Sequence, residues 1–278
     1  MIIDIHTHTF PDKLAALAIP KMQQASHSVA FTAGTVGALK ESMAMAGIDK
    51  SVVLPVATNP LKVGSINDIS IATEEKALIY FGCIHPETEA PEAELTRIAA
   101  AGVKGIKLHP VYQGVDIDDS RFLRILYKAA ELGLIVITHA GDDIGFPGVR
   151  RCTPRMLRNA LRQVGDLTLI AAHMGGWKNW EEVRQLLCDT SVRIDTAFSL
   201  GSITPLETDY YSPEELKLMD AEEFCKTVRL FGSERVFFGS DSPWTDQMQS
   251  VTDIRALALS ETEKDNILGG NAARLLGI

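Results

Sequence analysis

Short apolar runs alternate along the chain with longer segments of helical period, which is the pattern of a protein built from strand–helix units. Near-continuous apolar runs such as LIVIT and LTLIAA are typical of parallel strands that are covered on both faces. Eight strands are predicted, at residues 2–7, 51–57, 78–84, 103–108, 134–139, 167–173, 192–196 and 235–239.

The segments between these strands carry the start and stop signals of helices. Proline is favoured in the first turn of a helix, and glycine just beyond the last turn. The signals predict helices in GTVGALKESMAMAG, PEAELTRIAAAG, DSRFLRILYKAAELG and TPRMLRNALRQVG, which end at Gly47, Gly102, Gly133 and Gly165. Two capping boxes are also predicted, Ser212 with Glu215 and Ser260 with Glu263.

Eight strand–helix units favour a closed (β/α)8 barrel, the TIM barrel. A doubly wound sheet is the competing arrangement, but the first strand lacks the glycine-rich phosphate-binding turn that is typical of that fold. No internal repeat or linker-like segment interrupts the chain, so a single domain is expected over residues 1–278. The long segments 10–34 and 200–212 are predicted to be loops and short helices over one barrel mouth.

Composition and charge narrow the classes of function. The 278 residues are 46% hydrophobic and 23% charged, and the net charge of −9 leaves no basic stripe for nucleic acid. Four cysteines without a CxxC pair indicate a reducing compartment. No apolar run reaches the ~18 residues of a membrane span. We therefore expect a cytoplasmic protein without nucleic-acid or membrane partners.

The opening stretch MIIDIHTHTF places polar residues at every second position of an apolar strand. Alternate side chains of a strand project from one face, so Asp4, His6 and His8 share a face. Two imidazoles held side by side can bind a common cation, whereas the alternative is a pair of polar residues in a surface loop. This stretch alone does not decide between the two.

The other histidines favour the metal hypothesis. Six of the seven histidines lie at the carboxyl ends of predicted strands, where barrel enzymes build their active sites. These are His6, His8, His85, His109, His139 and His173, and Asp241 follows the eighth strand in VFFGSDSPW. Imidazole and carboxylate suit zinc and related cations, so the pattern predicts a metal site completed from several strands.

Five motifs together resemble one family. DIHTH, THAG, AHMGG, GSDSPW and the terminal NAARLLG resemble the amidohydrolase superfamily, in particular its amidohydrolase-2 branch, which includes relatives of aminocarboxymuconate-semialdehyde decarboxylase. The resemblance runs from the first strand to the last residues. It implies a distorted (β/α)8 barrel with a divalent metal, most often zinc, bound by His6, His8, His139 and Asp241. It also implies that His173 lies close by, as an acid/base or as a ligand of a second ion.

Three imidazoles and a carboxylate would leave a coordination position for water. Bound Zn²⁺ lowers the pKa of such a water to about 7. Asp241 would accept the proton of this water, while His173 would polarise a carbonyl group or shuttle a proton. Asp4 would orient a ligand, or it is a buried carboxylate tied to backbone amides or to a lysine.

The number of metal ions depends on Lys107, which ends the fourth predicted strand. In binuclear members of the superfamily a carboxylated lysine at that strand end bridges two metals. The alternative is a lysine paired with Asp4 or Asp241. We expect one ion, and two remain compatible with the sequence.

Four further residues are candidates for contact with substrate. Arg150 and Arg151 follow the fifth strand, where a guanidinium would clamp a substrate carboxylate, although solvated surface arginines are the alternative. His109 is expected in a loop near the pocket, and Trp244 would wall the pocket or simply pack.

The leading functional hypothesis is a metal-dependent hydrolase of an amide, a lactone or a similar bond in a small polar metabolite. The alternative is a decarboxylase or hydratase that uses the same site. A phosphoesterase of the TatD or histidinol-phosphatase type is a third hypothesis, disfavoured by the acidic charge and by the lack of a glutamate on strand four. A homo-oligomer is compatible with the sequence.

Overall fold

The apolar runs form short strands at the positions that the sequence predicts. The structure is a computed structural model, and it describes all residues 1–278. Each of the eight predicted runs overlaps a strand, and the run 78–84 contains two. The strands are β1 (Ile3–Thr7), β2 (Lys50–Val53), β3 (Leu78–Tyr80), β4 (Gly82–Cys83), β5 (Gly105–Leu108), β6 (Ile135–Thr138), β7 (Leu169–Ala171), β8 (Arg193–Asp195) and β9 (Val236–Phe237).

Thirteen α-helices lie between and after the strands, and the four segments with proline and glycine signals are among them. The helices are α1 (Asp12–Ser26), α2 (Val36–Ala46), α3 (Val63–Ala72), α4 (Pro91–Ala100), α5 (Pro110–Gln113), α6 (Ser120–Glu131), α7 (Pro154–Val164), α8 (Trp180–Leu186), α9 (Pro213–Leu216), α10 (Ala221–Phe231), α11 (Gln247–Ala256), α12 (Glu261–Asp265) and α13 (Asn271–Leu276). The capping boxes at Ser212 and Ser260 are confirmed, since each side chain accepts a hydrogen bond from the third helical residue and the glutamate there reaches back. No helix combines the length and the apolar character needed to cross a bilayer.

The segment 10–34 differs from its prediction of loops and short helices, because it contains the 15-residue helix α1. The apolar pattern of this helix is weak. Only Ala15, Ile19 and Ser26 are buried in it, while Leu14 and Leu17 face solvent, and Pro20 lies inside it. A helix that buries so few side chains leaves little periodicity for sequence analysis to detect.

The chain divides into two compact units, which are described separately. The first unit comprises Met1–Val53, Ile144–Pro147 and Asp195–Ile278. Within it β1 pairs in parallel with β2. The amide of Ile5 donates to the carbonyl of Phe238, and the amide of Asp241 donates to the carbonyl of His6. These bonds bring the segment after β9 beside the carboxyl end of β1.

The second unit comprises Leu54–Asp143 and Gly148–Ile194. Its strands β4 to β8 pair in parallel in chain order. Cys83 pairs with Lys107, and Lys107 pairs with Ile137. Parallel strands in this register end side by side, so the residues that follow β4, β5 and β6 leave the sheet at one edge.

Asn67 on α3 is a fully buried polar side chain that ties its helix to β4. Its Nδ2 donates to the carbonyl of Cys83 at 3.0 Å and to Glu94 at 2.6 Å, and its Oδ1 accepts from the amide of Cys83 at 2.8 Å. The amide and the carbonyl group of Cys83 in β4 thus both form hydrogen bonds with the side chain of Asn67.

We expect Asn67→Ala to lower the free energy of unfolding by about 2–4 kcal/mol, because it leaves buried backbone groups of Cys83 without partners. Urea unfolding followed by circular dichroism measures the change. The control is Asn159→Ala, which removes an exposed amide that donates to Asp118 and should change stability by less than ~0.5 kcal/mol. Equal effects of the two substitutions would contradict the role of Asn67.

Candidate metal centre

Three donor atoms converge at the carboxyl end of β1 in the first unit. His6 lies in β1, His8 follows that strand, and Asp241 follows β9. Oδ1 of Asp241 lies 3.3 Å from Nε2 of His6 and 3.2 Å from Nε2 of His8. All three donor atoms lie within 4.8 Å of one another. The structure thus brings together three of the four predicted ligands.

The spacing of these atoms fits a divalent cation. Bonds of about 2.1 Å to a tetrahedral ion separate the ligand atoms by about 3.4 Å. His6 and Asp241 are buried and His8 is largely so, which keeps bulk water from competing with the ion. Two imidazole nitrogens and a carboxylate oxygen are a donor set typical of zinc, manganese and related metals.

Asp195, at the end of β8, orients His6. Its Oδ2 lies 2.8 Å from Nδ1 of His6, and both side chains are buried. A carboxylate accepts the hydrogen bond, so the proton resides on Nδ1 and the lone pair of Nε2 is left for a cation. Sequence analysis missed Asp195, although a carboxylate that ends a buried apolar strand is a signal that was available in RID.

Asp4 is a fully buried carboxylate beneath this cluster. It accepts hydrogen bonds from the amides of His6 and Ser240, from the hydroxyl of Ser240 and from Nε2 of Gln247. Burial raises the pKa of Asp4 to about 6, against the effect of these four hydrogen bonds. Asp4 therefore holds the backbone beside two predicted ligands, and its partners do not include a lysine.

Asp241 adopts a backbone conformation that is uncommon outside glycine. Its φ is 67°, in the left-handed region. Two hydrogen bonds of 2.8 Å hold it there, from its own amide to the carbonyl of His6 and from the amide of Trp244 to its carbonyl. Strained backbone of this kind is concentrated at functional sites. Trp244 itself is half-buried, and its predicted contact with substrate stays a prediction.

The second unit carries its own group of imidazoles, on neighbouring strand ends. Nδ1 of His139 lies 3.0 Å from Nε2 of His173. The ring of His109 stacks on that of His139 at 4.3 Å between centroids. His109 is buried at the start of α5, where its Nδ1 accepts a hydrogen bond from the amide of Tyr112.

The positions of His139 and His173 are set by the backbone around them. Gly141 has a φ of 87°, and a Cβ there would lie 2.2 Å from the amide nitrogen of Trp177. The close approach lets the amide of Trp177 bond to the carbonyl of Ala140. Trp180 donates its Nε1–H to the carbonyl of His173 and so helps to position this histidine.

A second set of donors, His109, His139 and Asp143, also lies within 4.8 Å of one another. Here the imidazole protons decide the interpretation. Nε2 of His139 lies 3.2 Å from the carbonyl of Asp142 and therefore carries a proton, and so does Nε2 of His109, since its Nδ1 is an acceptor. The carboxylate of Asp143 thus faces two N–H groups, at 3.5 Å from Nε2 of His109 and 3.8 Å from Nε2 of His139, whereas a cation requires nitrogens that carry lone pairs.

The remaining predicted site residues have these positions. Arg150 pairs with Asp142 and Arg151 pairs with Asp116, each at 2.9 Å and near the surface. Each guanidinium thus has a carboxylate partner within the chain, and the predicted substrate clamp stays a prediction. Lys107 is buried in β5, and its predicted role as a bridge between two metals stays a prediction as well.

Comparison with known proteins decides the family. The profile of the amidohydrolase family, amidohydrolase-2 branch, matches residues 3–278. The chain belongs to the amidohydrolase family. Its fold is accordingly the (β/α)8 barrel of these proteins, and the family is metal-dependent, as the sequence predicts.

The chain is similar to one curated protein and to two solved structures that are decarboxylases. The chain is 26% identical over 213 residues to 2-amino-3-carboxymuconate-6-semialdehyde decarboxylase of Dictyostelium discoideum; the matched region covers 69% of this chain and 58% of that protein. The structure also resembles 5-carboxyvanillate decarboxylase of Novosphingobium aromaticivorans, which was solved with manganese and 4-hydroxy-3-methoxy-5-nitrobenzoic acid. The two superpose with a TM-score of 0.70 at 14% identity, over 100% of this chain and 96% of that one. 2,6-Dihydroxybenzoate decarboxylase from Rhizobium superposes with a TM-score of 0.68 at 14% identity, covering 99% and 98%.

We expect Asp195→Asn to weaken binding of Mn²⁺ or Zn²⁺ about 10- to 100-fold, because a neutral amide orients the Nε2 lone pair of His6 less firmly than a carboxylate does. Competition with a chromogenic chelator measures the dissociation constant. The matched control is Asp166→Asn, at an exposed position, which should leave the affinity unchanged. Unaltered metal affinity in the Asp195 variant would show that Asp195 does not support metal binding by His6.

Proposed function

We propose that the chain is a metal-dependent decarboxylase of a small unsaturated or aromatic carboxylic acid. The observation that carries the proposal is the convergence of His6, His8 and Asp241 on one point, with the Nε2 lone pair of His6 presented by Asp195. The decarboxylase activity of the curated relative supports this reaction over the hydrolysis that sequence analysis placed first.

In this proposal His6, His8 and Asp241 hold one divalent cation, zinc or manganese. His139, the fourth ligand expected from the sequence, stays a prediction. The cation would supply positive charge for the substrate's oxygens and for the negative charge that develops on them. The substrate is a small molecule, as the ligands of the related decarboxylase structures are.

Decarboxylation breaks one carbon–carbon bond and forms one carbon–hydrogen bond. The electron pair of the broken bond stays on the substrate carbon as carbon dioxide leaves, and a proton then takes the place of the carboxylate. The chain must therefore hold a proton near that carbon. Asp241 and His173 are the side chains that we assign to this task. The strained turn fixes the carboxyl group of Asp241, and His173 shares a hydrogen bond with His139.

A substrate panel tests the reaction class. Protein freed of metal by a chelator and reloaded with Mn²⁺ or Zn²⁺ is assayed with hydroxylated benzoic acids and carboxymuconate-type acids, and in parallel with amides and lactones. We expect carbon dioxide release from at least one acid, dependent on the metal. Hydrolysis of a lactone or an amide without release of carbon dioxide would contradict the proposal and would restore the hydrolase hypothesis.

Asp241→Asn tests the proton donor. The amide keeps the size of the side chain but cannot hold a transferable proton, so turnover should fall at least ~100-fold while the far-ultraviolet circular dichroism spectrum is unchanged. Metal content is measured on the same sample, and turnover is read at saturating metal. Asp166→Asn is the control at an exposed position. Turnover near that of the wild-type protein would remove Asp241 from this role.

A further inference from the structure

Two His-Pro pairs follow adjacent strands of the second unit. His85 and Pro86 come after β4, and His109 and Pro110 come after β5. In each pair the histidine Nδ1 accepts a hydrogen bond from a nearby backbone amide, that of Glu87 at 3.1 Å and that of Tyr112 at 3.4 Å. A neutral imidazole whose Nδ1 is an acceptor carries its proton on Nε2. Both rings therefore present an N–H group.

The two rings differ in what this N–H group meets. Nε2 of His109 lies 3.5 Å from the carboxylate of Asp143. Nε2 of His85 has no hydrogen-bond partner in the protein, and it is not among the polar atoms that are sealed from solvent. His85 is nevertheless only 4% exposed. A nearly buried ring thus offers one fixed donor that solvent or a ligand can reach.

The position of His85 is as firmly set as that of its neighbours. Cys83 pairs with Lys107, and Lys107 pairs with Ile137, so two residues further on His85 lies level with His109 and His139. Gln113 reinforces this register, since its Nε2 donates to the carbonyl of Ile84 and its Oε1 accepts from the amide of His109. His85 is therefore the next member of the row of imidazoles at this sheet edge.

Burial lowers the pKa of His85, whereas the charge of Glu87 acts in the opposite direction and more weakly. The ring is therefore a neutral donor at neutral pH. A buried donor without a protein partner is disfavoured unless something else accepts its hydrogen bond.

We propose that His85 binds the substrate, with its Nε2–H donating a hydrogen bond to an anionic oxygen of the acid, either the carboxylate or a neighbouring phenolate or enolate. This assignment rests on the proposed function. A neutral donor can orient an anionic oxygen of the acid without adding a second full positive charge to that of the cation.

The protonation of the ring is tested first, on wild-type protein, by proton–nitrogen correlation NMR with ¹⁵N-labelled histidine. We expect the Nε2–H tautomer of His85 at pH 7, and a shift of this signal when an acid turned over in the panel or, failing one, 4-hydroxy-3-methoxy-5-nitrobenzoic acid or acetate is added. The signal of His27, which is half-buried and pairs with Glu207, should not shift. An Nδ1–H tautomer, an imidazolium, or no shift with any of these acids overturns the proposal.

Substitution then tests binding. His85→Ala should raise KM for the acid, or Kd where no turnover is found, about 10- to 100-fold. His85→Gln places an amide N–H near the position of Nε2 and should recover part of the affinity, and His27→Gln should have no effect. A substrate analogue without the carboxylate identifies which oxygen is bound. If the carboxylate is the acceptor, the wild-type protein and His85→Ala should bind this analogue equally well. If the phenolate or enolate is the acceptor, the substitution should still weaken binding.

The outcomes separate this proposal from the proposed function. Decarboxylation with unchanged KM in His85→Ala overturns the role of His85 and leaves the reaction standing. Weakened binding of the acids in a protein that decarboxylates none of them supports His85 and overturns the reaction. If His85→Ala does not fold, the glutamine variant and the NMR measurements on wild-type protein still decide.

Discussion

The hydrogen bond between Asp195 and Nδ1 of His6 is the interaction on which the candidate metal centre depends. An imidazole has two nitrogens, and a cation can use only the one that carries no proton. A buried carboxylate at 2.8 Å settles which nitrogen that is. Asp4 adds the second constraint, because it holds the backbone of His6 and of Ser240, and Ser240 immediately precedes Asp241. The carboxylate of Asp195 thus fixes the tautomer of His6, and the carboxylate of Asp4 fixes the positions of His6 and Asp241.

The other histidines show that one local rule serves two opposite purposes. Nδ1 of His6 donates to Asp195, so the opposite nitrogen, Nε2, presents a lone pair. In His85 and His109 a backbone amide occupies the lone pair, so the opposite nitrogen presents an N–H group. Rings of the first kind suit a cation, and rings of the second kind suit an anionic oxygen. The hydrogen-bond partner of one ring nitrogen therefore determines which kind of ligand the other nitrogen can take.

Much of this arrangement could be predicted from sequence, because its causes are local. Apolar runs bounded by glycine and proline located every strand, and the position of a histidine just after a strand placed it at a carboxyl end. Asp195 could have been noticed as a carboxylate at a strand end. Its pairing with His6 and the orientation of each ring were not predictable in this way, since they depend on partners far along the chain or on single backbone hydrogen bonds. Helix α1 was missed for a different reason, as it buries too few side chains to leave an apolar period.

The chemistry of the donors bears on the choice between hydrolysis and decarboxylation. Both reactions can use the same cation, so the ligands do not distinguish them. What differs is how the rest of the site treats a carboxylate. A site that binds an acid gains from arginine, and the clamp expected from Arg150 and Arg151, each paired with an aspartate near the surface, stays a prediction. In our proposal the neutral N–H of His85 at the strand ends binds an anionic oxygen without adding a full positive charge beside it. A decarboxylase needs this balance, because the charge must leave the carboxylate as the carbon–carbon bond breaks.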